Sequence, residues 1–362
     1  MIKVPVRSAS GPYEIRIVRG LLPLLGGVVR DLFPSVSRVG IVSNPVVWGL
    51  YGPRIREAME RAGLRTVLAL HPDGERYKTM ESVMEILTVF LGDRWERREP
   101  LLVAGGGVTG DMGGLAAALL LRGVPLLHLP TTVVAQVDSS IGGKTGVDHP
   151  LGKNLIGVFN PPRAILADPE LLATLPLRER RAGLGEVLKY AFIGDGELLS
   201  LLEDHVEDLA GDPFDGELWK RVVELSSRDK ARIVSNDERE TGERMLLNFG
   251  HTFGHAIEGA LDFSGLLHGE AVAIGMLSAA AIAESGGLAA PGTFSFMESL
   301  IGRAGLPVAW PKGLTFDRIS PYLGRDKKVT GGQVALILPE APGRVRIVRD
   351  YDPNLLPMGL FA

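Results

Sequence analysis

Pro100-Leu-Leu-Val-Ala-Gly105-Gly106-Gly107-Val108-Thr109-Gly110-Asp111 runs from a short apolar strand through a glycine turn into a helix of small residues. The spacing Gly105-x-Gly107-x-x-Gly110 meets the dinucleotide-binding pattern in the strand–turn–helix context that the pattern requires. A side chain in the turn would hold the backbone away from a pyrophosphate, and the following helix offers free amides and a positive end. A tight turn with close helix–strand packing would leave the same glycines. No Asp or Glu closes a strand about twenty residues further on, so a variant nucleotide site is expected rather than a standard Rossmann half.

Working outward from this loop, the first half alternates strand and helix. Residues 2–8 and 13–19 read as a hairpin, Val39–Ser43 and Thr66–Leu70 as strands, and Tyr51–Ala62 and Lys78–Leu91 as helices. Beyond the loop come a small-residue helix at Asp111–Leu121 and an apolar run at Pro125–Pro130. Short apolar runs alternating with helical periods imply a mostly parallel sheet covered on both faces. After Pro176 the strands stop. Arg178–Phe192, Glu197–Ala210, Glu217–Val234, Thr252–Leu261, Glu270–Ser285 and Phe294–Ala304 read as helices, and only Val334–Leu338 and Val345–Val348 look extended. The expected plan is an α/β domain over residues 1–176, followed by a mainly α-helical domain over residues 177–362. Open α/β sheets bind ligands beyond their strand C-termini, so chemistry is expected in a cleft between the two.

Composition narrows the function classes. A length of 362 residues suits two cores, and 45 % apolar with 23 % charged residues is a globular balance. The net charge is −4 and no basic block appears, so no nucleic-acid partner is expected. There is no cysteine, which excludes disulfides and thiolate ligands; any metal must sit on histidine and carboxylate. The first residues carry no signal-peptide core, and Leu115–Leu121 and Ala271–Ala283 fall short of the roughly 20 residues of a membrane span. A soluble cytoplasmic protein with no membrane partner is expected.

Polar residues then gather in a few places. Pro130-Thr131-Thr132 through Asp138 to Gly142-Gly143-Lys144-Thr145 is dense in hydrogen-bonding groups. It is not a Walker A loop, because Asp138 stands where that loop needs its first glycine. With Lys153-Asn154 it suits a phosphorylated, hydroxylated ligand, although a solvated loop would look similar. Three of seven histidines fall in Asn248-Phe-Gly-His251-Thr-Phe-Gly-His255-Ala-Ile-Glu258 and His268-Gly-Glu270. Two histidines and a carboxylate with open positions make a catalytic metal site, and spacing alone favours His251 with His255, one helical turn apart, plus Glu258 or Glu270. Glu186 and Lys189 share a face of an otherwise apolar helix, where an ordinary intrahelical ion pair is the plainer reading. Lys230, Glu240 and Arg244 form another charged group before the histidines.

Seven blocks together resemble the 3-dehydroquinate synthases: DGERYK (73–78), GGGVTGDMGG (105–114), PTTVVAQVDSSIGGKTGVDHPLGKNLIG (130–157), GLGEVLKY (183–190), DKARIVSNDERETGERMLLNFGHTFGHAIE (229–258), LHGEAVAIGM (267–276) and DKK (326–328). The resemblance implies a dehydroquinate synthase-like fold, a homodimer, one NAD and one divalent metal, Zn2+ or Co2+. It implies conversion of 3-deoxy-D-arabino-heptulosonate 7-phosphate to 3-dehydroquinate by transient oxidation, phosphate elimination, re-reduction and intramolecular aldol closure. The implied metal ligands are Glu186, His251 and His268, which leaves His255 to the substrate and overrides the pair that spacing favours. Implied NAD contacts are Asp73, Gly74, Glu75, Arg76, Tyr77, Lys78, Gly106, Gly107, Val108, Thr109, Gly110, Asp111, Thr131, Thr132, Lys144, Lys153, Leu171, Leu172, Ala173 and Thr174, with Asn44 toward adenosine. Implied substrate residues are Arg122, Asp138, Lys144, Asn154, Lys189, Lys230, Glu240, Arg244, Asn248, His255 and either Lys327 or Lys328. Two alternatives keep NAD and metal: another sugar phosphate cyclase, such as a 2-deoxy-scyllo-inosose synthase, and a metal-dependent NAD polyol dehydrogenase. Lys230, Arg244 and Asn248 together favour dehydroquinate synthesis over the other cyclases, and a dehydrogenase would differ by producing net NADH.

Overall fold

The short apolar runs of the first half become strands because both of their faces can be buried. β1 (Ile2–Val6), β2 (Tyr13–Ile17), β3 (Arg38–Ser43), β4 (Arg65–Leu70), β5 (Leu101–Gly105) and β6 (Leu126–Pro130) are followed by β7 (Lys144–His149), β8 (Gly152–Phe159) and β9 (Ala164–Ala167). A computed structural model describes all residues except 195, 263, 324–328, 331–332 and 361–362. It joins seven of these strands in the order β1-β2-β9-β6-β5-β3-β4, antiparallel between β1 and β2 and parallel elsewhere. Strands β7 and β8 make a separate antiparallel ribbon.

Four helices cover the sheet: α1 (Leu25–Leu32), α2 (Pro45–Arg61), α3 (Met80–Gly92) and α4 (Gly107–Leu119). Strand β5 shows why the sequence ran apolar without alternation. Leu102 and Ala104 join the cluster built on Leu25, Val29, Ile55 and Met59, whereas Leu101 and Val103 join the one built on Val83, Ile86, Phe90 and Met112. Successive side chains point to opposite faces, so a strand covered on both is apolar throughout.

Helix α4 begins at Gly107, earlier than the Asp111 start expected from sequence. Glycine weakens a helix by roughly 0.5–1 kcal/mol relative to alanine, but here it is required by close packing. A Cβ on Gly113 would lie 2.6 Å from Val103, and one on Gly114 2.4 Å from Thr145. Helix α2 also starts earlier than expected, at Pro45, because the Asn44 side chain accepts from the Val47 amide at 2.9 Å and Pro45 fills the first turn. In this half four elements escaped the sequence reading, α1, β7, β8 and β9. Helix α1 contains Gly26-Gly27, β9 is only four residues long, and β8 is exposed along most of its length and so lacks a buried alternation.

By contacts the chain divides into two units, Met1–Thr174 with Trp219–Ser235, and Leu175–Leu218 with Asn236–Ala362. The second contains α5 (Leu177–Ile193), α6 (Gly196–Ala210) and part of α7 (Gly216–Asn236), then α8 (His251–Ala260), α9 (His268–Ser285), α10 (Thr293–Arg303) and α11 (Phe316–Leu323). Short strands follow: β10 (Val329–Thr330) with β11 (Gln333–Val334), and β12 (Leu336–Ala341) with β13 (Arg344–Val348). The sequence reading gave α7 wholly to the helical domain. Residues 219–235 instead group with the sheet, where the Arg7 amide donates to Ser235 at 2.9 Å and Lys230 pairs with Asp138. Helix α9 is buried on nearly every side and is the centre of the helical unit. Among the described residues, no helix is long and apolar enough to cross a membrane.

Candidate functional site

In the sheet unit, β3 lies between β4 and β5, so the chain leaves β3 to one side and returns on the other. Such a switch point opens a crevice at the strand C-termini. The glycine loop closes β5 there. Helix α4 has no side-chain cap at Gly106, so its first-turn amides keep donors that the helix itself cannot satisfy. A Cβ on Gly107 would come within 3.3 Å of Ser139 Oγ, and one on Gly106 within 3.0 Å of Thr132. The loop is thus a packing device that also leaves helix amides open to an acceptor.

Many of the expected nucleotide residues are bonded to one another within this unit. Asn44 Nδ2 donates to Asp73 at 2.9 Å. Lys78 Nζ is 2.6 Å from Asp111 and donates to Asn154 Oδ1 at 2.6 Å; burial works against its charge, but Asp111, with Glu75 and Asp148, holds its pKa above the ordinary lysine value. Gly74 leads, at a positive φ of 111°, into a turn over Glu75–Tyr77, where Arg76 lies over the Tyr77 ring and Lys153 faces Glu75 at 3.7 Å. The Thr131 amide donates to the Gly105 carbonyl and Thr132 caps the Ala135 amide. The turn over Pro169–Thr174 carries Leu171, Leu172, Ala173 and Thr174; Tyr51 bonds the Leu171 carbonyl and the Thr174 hydroxyl. Beside it is a cavity of about 480 Å3 lined by Tyr51, Arg54, Asp168, Leu171 and Thr174. His71 was not singled out in the sequence. Its Nδ1 donates to the Pro72 carbonyl, so Nε2 accepts from Thr109 in the glycine loop at 3.0 Å, and burial lowers its pKa.

The expected substrate residues of this unit are less uniform. Lys230 is buried and paired with Asp138, whereas Lys144 is exposed at the start of β7. Asn154 adopts a left-handed φ of 54° while its amide donates to Asp148 at 2.8 Å. Arg122 is not brought to this group. It follows the far end of α4, about 20 Å along the helix from Gly107, exposed and at φ 66°.

In the helical unit, Glu186 sits on α5 with its carboxylate almost wholly buried. Oε2 meets Lys189 Nζ at 2.5 Å, and Oε1 lies 3.4 Å from His251 Nε2 and 3.2 Å from His268 Nε2. His251 and His268 are the first residues of α8 and α9. The His251 Nδ1 contacts the Phe249 carbonyl at 3.1 Å, and the His268 Nδ1 lies 3.4 Å from both Glu258 oxygens. Carbonyl and carboxylate only accept, so each Nδ1 carries a proton, and an Nε2 left neutral turns a lone pair toward an anionic oxygen. That arrangement repels unless a cation or a proton lies between. Two nitrogens and an oxygen bound at 2.0–2.1 Å in tetrahedral geometry would be about 3.3–3.4 Å apart, so this donor set fits a divalent ion. His255, exposed and one turn along α8, is in the same group; the nearest nitrogens of the three histidines all lie within 4.8 Å of one another. Spacing along the helix therefore found a real neighbour, and the Glu186 oxygen adds a carboxylate donor facing both His251 and His268.

Electrostatics follows from these contacts. Burial works to raise the Glu186 pKa, but Lys189 and His251 hold it well below the ordinary carboxylate value. Burial lowers His251. It would also lower His268, but Glu186 and Glu258 outweigh it and push His268 up to about 9. Glu270 is used elsewhere: it pairs with Arg178 at 2.8 Å and caps the Leu267 amide. Asn248 donates to Glu240 at 2.6 Å, with Glu240 at a left-handed φ of 61°, and Arg244 is buried against the Glu238 carbonyl. Lys327 and Lys328 lie outside the described residues.

Glycines set the donor distances. A Cβ on Gly185 would stand 2.4 Å from the Gly269 carbonyl oxygen, and one on Gly269 1.8 Å from that of Ala182. Helices α5 and α9 therefore cross backbone to backbone beside Glu186 and His268. On the other side of α9, a Cβ on Gly275 would meet the Gly250 carbonyl at 2.0 Å, next to His251. Each donor adjoins a glycine at a helix crossing, a signal present in the sequence but unreadable without the crossings.

Comparison with known proteins places both units. Family models of the 3-dehydroquinate synthase N-terminal and C-terminal parts match residues 68–182 and 183–329. Over 98 % of its length the chain is 44 % identical to the 3-dehydroquinate synthase of Microcystis aeruginosa, covering 96 % of that protein. The chain belongs to the 3-dehydroquinate synthase family. Solved structures of sugar phosphate cyclases share its fold. A 2-epi-5-epi-valiolone synthase from Streptomyces hygroscopicus, with NAD+ and Zn2+ bound, is 30 % identical at a TM-score of 0.86, over 96 % of this chain and 95 % of that one. A 2-deoxy-scyllo-inosose synthase complexed with carbaglucose-6-phosphate, NAD+ and Co2+ is 26 % identical at 0.87, over 99 % of each. The expected fold class, a mostly parallel α/β sheet followed by a mainly helical part on the dehydroquinate synthase plan, holds.

Proposed function

We propose that this chain converts 3-deoxy-D-arabino-heptulosonate 7-phosphate into 3-dehydroquinate and phosphate, using one NAD that is reduced and reoxidised in each turnover and one divalent metal. The observation that carries the reading is near full-length identity of 44 % to a 3-dehydroquinate synthase, spanning both the glycine loop and the Glu186–histidine group. The cyclases that act on other sugar phosphates share 25–30 % identity, and solved dehydrogenases 15–18 %, which speaks for the fold alone.

When bound, NAD accepts and returns a hydride and the cation polarises substrate hydroxyl oxygens. Glu186, His251 and His268 would hold the cation. The first-turn amides of α4 would hold the pyrophosphate, with Asp111, Lys78 and Thr132 around it and Asn44, Asp73 and Thr174 toward the nucleoside. Lys144, Lys189, Lys230 and Arg244 supply positive charge for the substrate phosphate and carboxylate. Asp138 fixes the Lys230 ammonium, and Glu240 fixes the Asn248 amide, so neither donor must reorganise when substrate arrives. His255, the exposed imidazole of the cluster, would exchange a proton with a substrate oxygen. A cytoplasmic homodimer belongs to the same reading and rests on the resemblance.

The test is turnover by the purified chain supplied with NAD and Zn2+ or Co2+. Phosphate should appear from the heptulosonate phosphate, and at a rate at least ~100-fold lower from sugar phosphates that lack the carboxylate, since a site built to bond a substrate group rejects analogues without it. Equal rates on a neutral sugar phosphate would move the chain to another cyclase activity.

The raised His268 pKa gives a pH signature. In the metal-free protein His268 is protonated below about 9, and a bound cation needs its Nε2 lone pair. Metal loading at neutral pH should therefore release about one proton, and affinity should rise roughly tenfold per pH unit toward 9 and then level. The metal-free protein should behave oppositely, losing the stability this imidazole contributes as pH rises from 6.5 to about 9. Calorimetry in buffers of differing ionisation enthalpy reads the proton count; zero protons at pH 7 would show that His268 is neutral beforehand.

A further inference from the structure

His268 is the more exposed of the two histidines that face Glu186, with 37 % of its side chain accessible against 12 % for His251. It is the first residue of α9, as His251 is of α8. His251 is tied down by a backbone carbonyl. No backbone acceptor performs that service for His268 among the described contacts. Its Nδ1 instead faces Glu258, a buried carboxylate whose two oxygens are both 3.4 Å away.

Glu258 reaches this position through the helix packing. On α8, His251, His255 and Glu258 follow at i, i+4 and i+7, one face of the helix. That face can reach the start of α9 because Gly254 lets the two helices approach: a Cβ there would lie 3.2 Å from Val272 Cα and 3.3 Å from the Ala271 carbonyl. A buried carboxylate is costly to desolvate unless it has work to do or partners that repay it.

We infer that Glu258 is the positioning residue for His268: its carboxylate accepts the Nδ1 proton, selects the tautomer whose Nε2 faces Glu186, and holds the ring against rotation. The inference rests on the reading of Glu186, His251 and His268 as metal ligands. Glu258 also makes the two donors unequal. His251 is oriented by a neutral group and His268 by an anion. Carboxylate partners of metal-ligating imidazoles typically set metal affinity by 10–100-fold.

The experiment compares wild type with Glu258→Gln and Glu258→Asp, using Zn2+ and Co2+ as probes. Competition with a chromogenic chelator should show Glu258→Gln binding either ion 10–100-fold more weakly, because an amide can turn its NH2 toward Nδ1 and favour the other tautomer. Glu258→Asp, which keeps the charge, should recover part of that loss, and the Co2+ absorption spectrum of Glu258→Gln should differ in position or intensity from wild type. Thermal unfolding of the metal-free proteins reads the structural part of the effect separately. Equal affinity and an unchanged Co2+ spectrum in Glu258→Gln would overturn the inference, as would a fall in metal-free stability with affinity intact, which is the mark of a merely structural carboxylate. Failure of the wild type to bind either ion would instead overturn the metal reading itself.

Discussion

Glu186→Gln should lower affinity for Zn2+ or Co2+ by at least ~1000-fold, since it exchanges the charged ligand of the group for a weak neutral one. The loss has a second part that does not depend on metal. Glu186 Oε2 is 2.5 Å from Lys189 Nζ with both side chains almost wholly buried, so the substitution removes the carboxylate partner of a buried ammonium. Breaking such a pair from one side costs about 3–5 kcal/mol, far more than the pair's own net worth. Metal-free Glu186→Gln should therefore melt well below wild type, and a chelator competition should find it nearly empty of metal at concentrations that saturate wild type. Full occupancy in this variant would remove Glu186 from the ligand set and return the choice to His251, His255 and His268.

Gly269→Ala should be nearly as damaging although it adds only one methyl group. Its Cβ would lie 1.8 Å from the Ala182 carbonyl oxygen, and the Gly185 position opposite leaves 2.4 Å to the Gly269 carbonyl. Both obstacles are backbone, so no side chain can swing aside and the α5–α9 crossing must open by more than ~1 Å. Overpacking of this kind costs about 3 kcal/mol or more. The displacement falls on the neighbours of these glycines, Glu186 and His268, whose 3.2 Å separation is what the cation requires. Metal affinity should drop at least tenfold together with thermal stability. Gly27→Ala is the matched control: it lies within α1, nothing stands within 4 Å of its Cβ, and it should be neutral or stabilising by ~0.5–1 kcal/mol. Wild-type affinity and melting in Gly269→Ala would refute the crossing as the determinant of donor distances.

These expectations show what a sequence can and cannot disclose. Most parallel strands were readable because runs such as Leu101–Gly105 are buried on both faces, and most helices because their apolar periods and polar breaks are local; the four-residue β9 and the glycine-containing α1 were not. The β7–β8 ribbon was not, since an exposed strand such as Gly152–Phe159 has no buried face to impose alternation. At the site, one helical turn links His251 to His255 in any reading, but Glu186 is sixty-five positions upstream of His251 and enters only through tertiary crossings. Glu258 and Glu270 were equally plausible carboxylates by spacing. Packing separates them, giving one to His268 and the other to Arg178. Arg122 shows the reverse case: a position matched by resemblance that lies away from the rest of its own unit's group.

The most direct measurement follows phosphate and NADH together while the purified chain, loaded with NAD and Zn2+ or Co2+, turns over 3-deoxy-D-arabino-heptulosonate 7-phosphate. Phosphate should be released over many turnovers, 3-dehydroquinate should accumulate in equal amount, and NADH absorbance should show no net rise, because each hydride taken is returned. NADH accumulating in proportion to substrate would instead mark a dehydrogenase, and no phosphate with either metal would contradict the assignment outright.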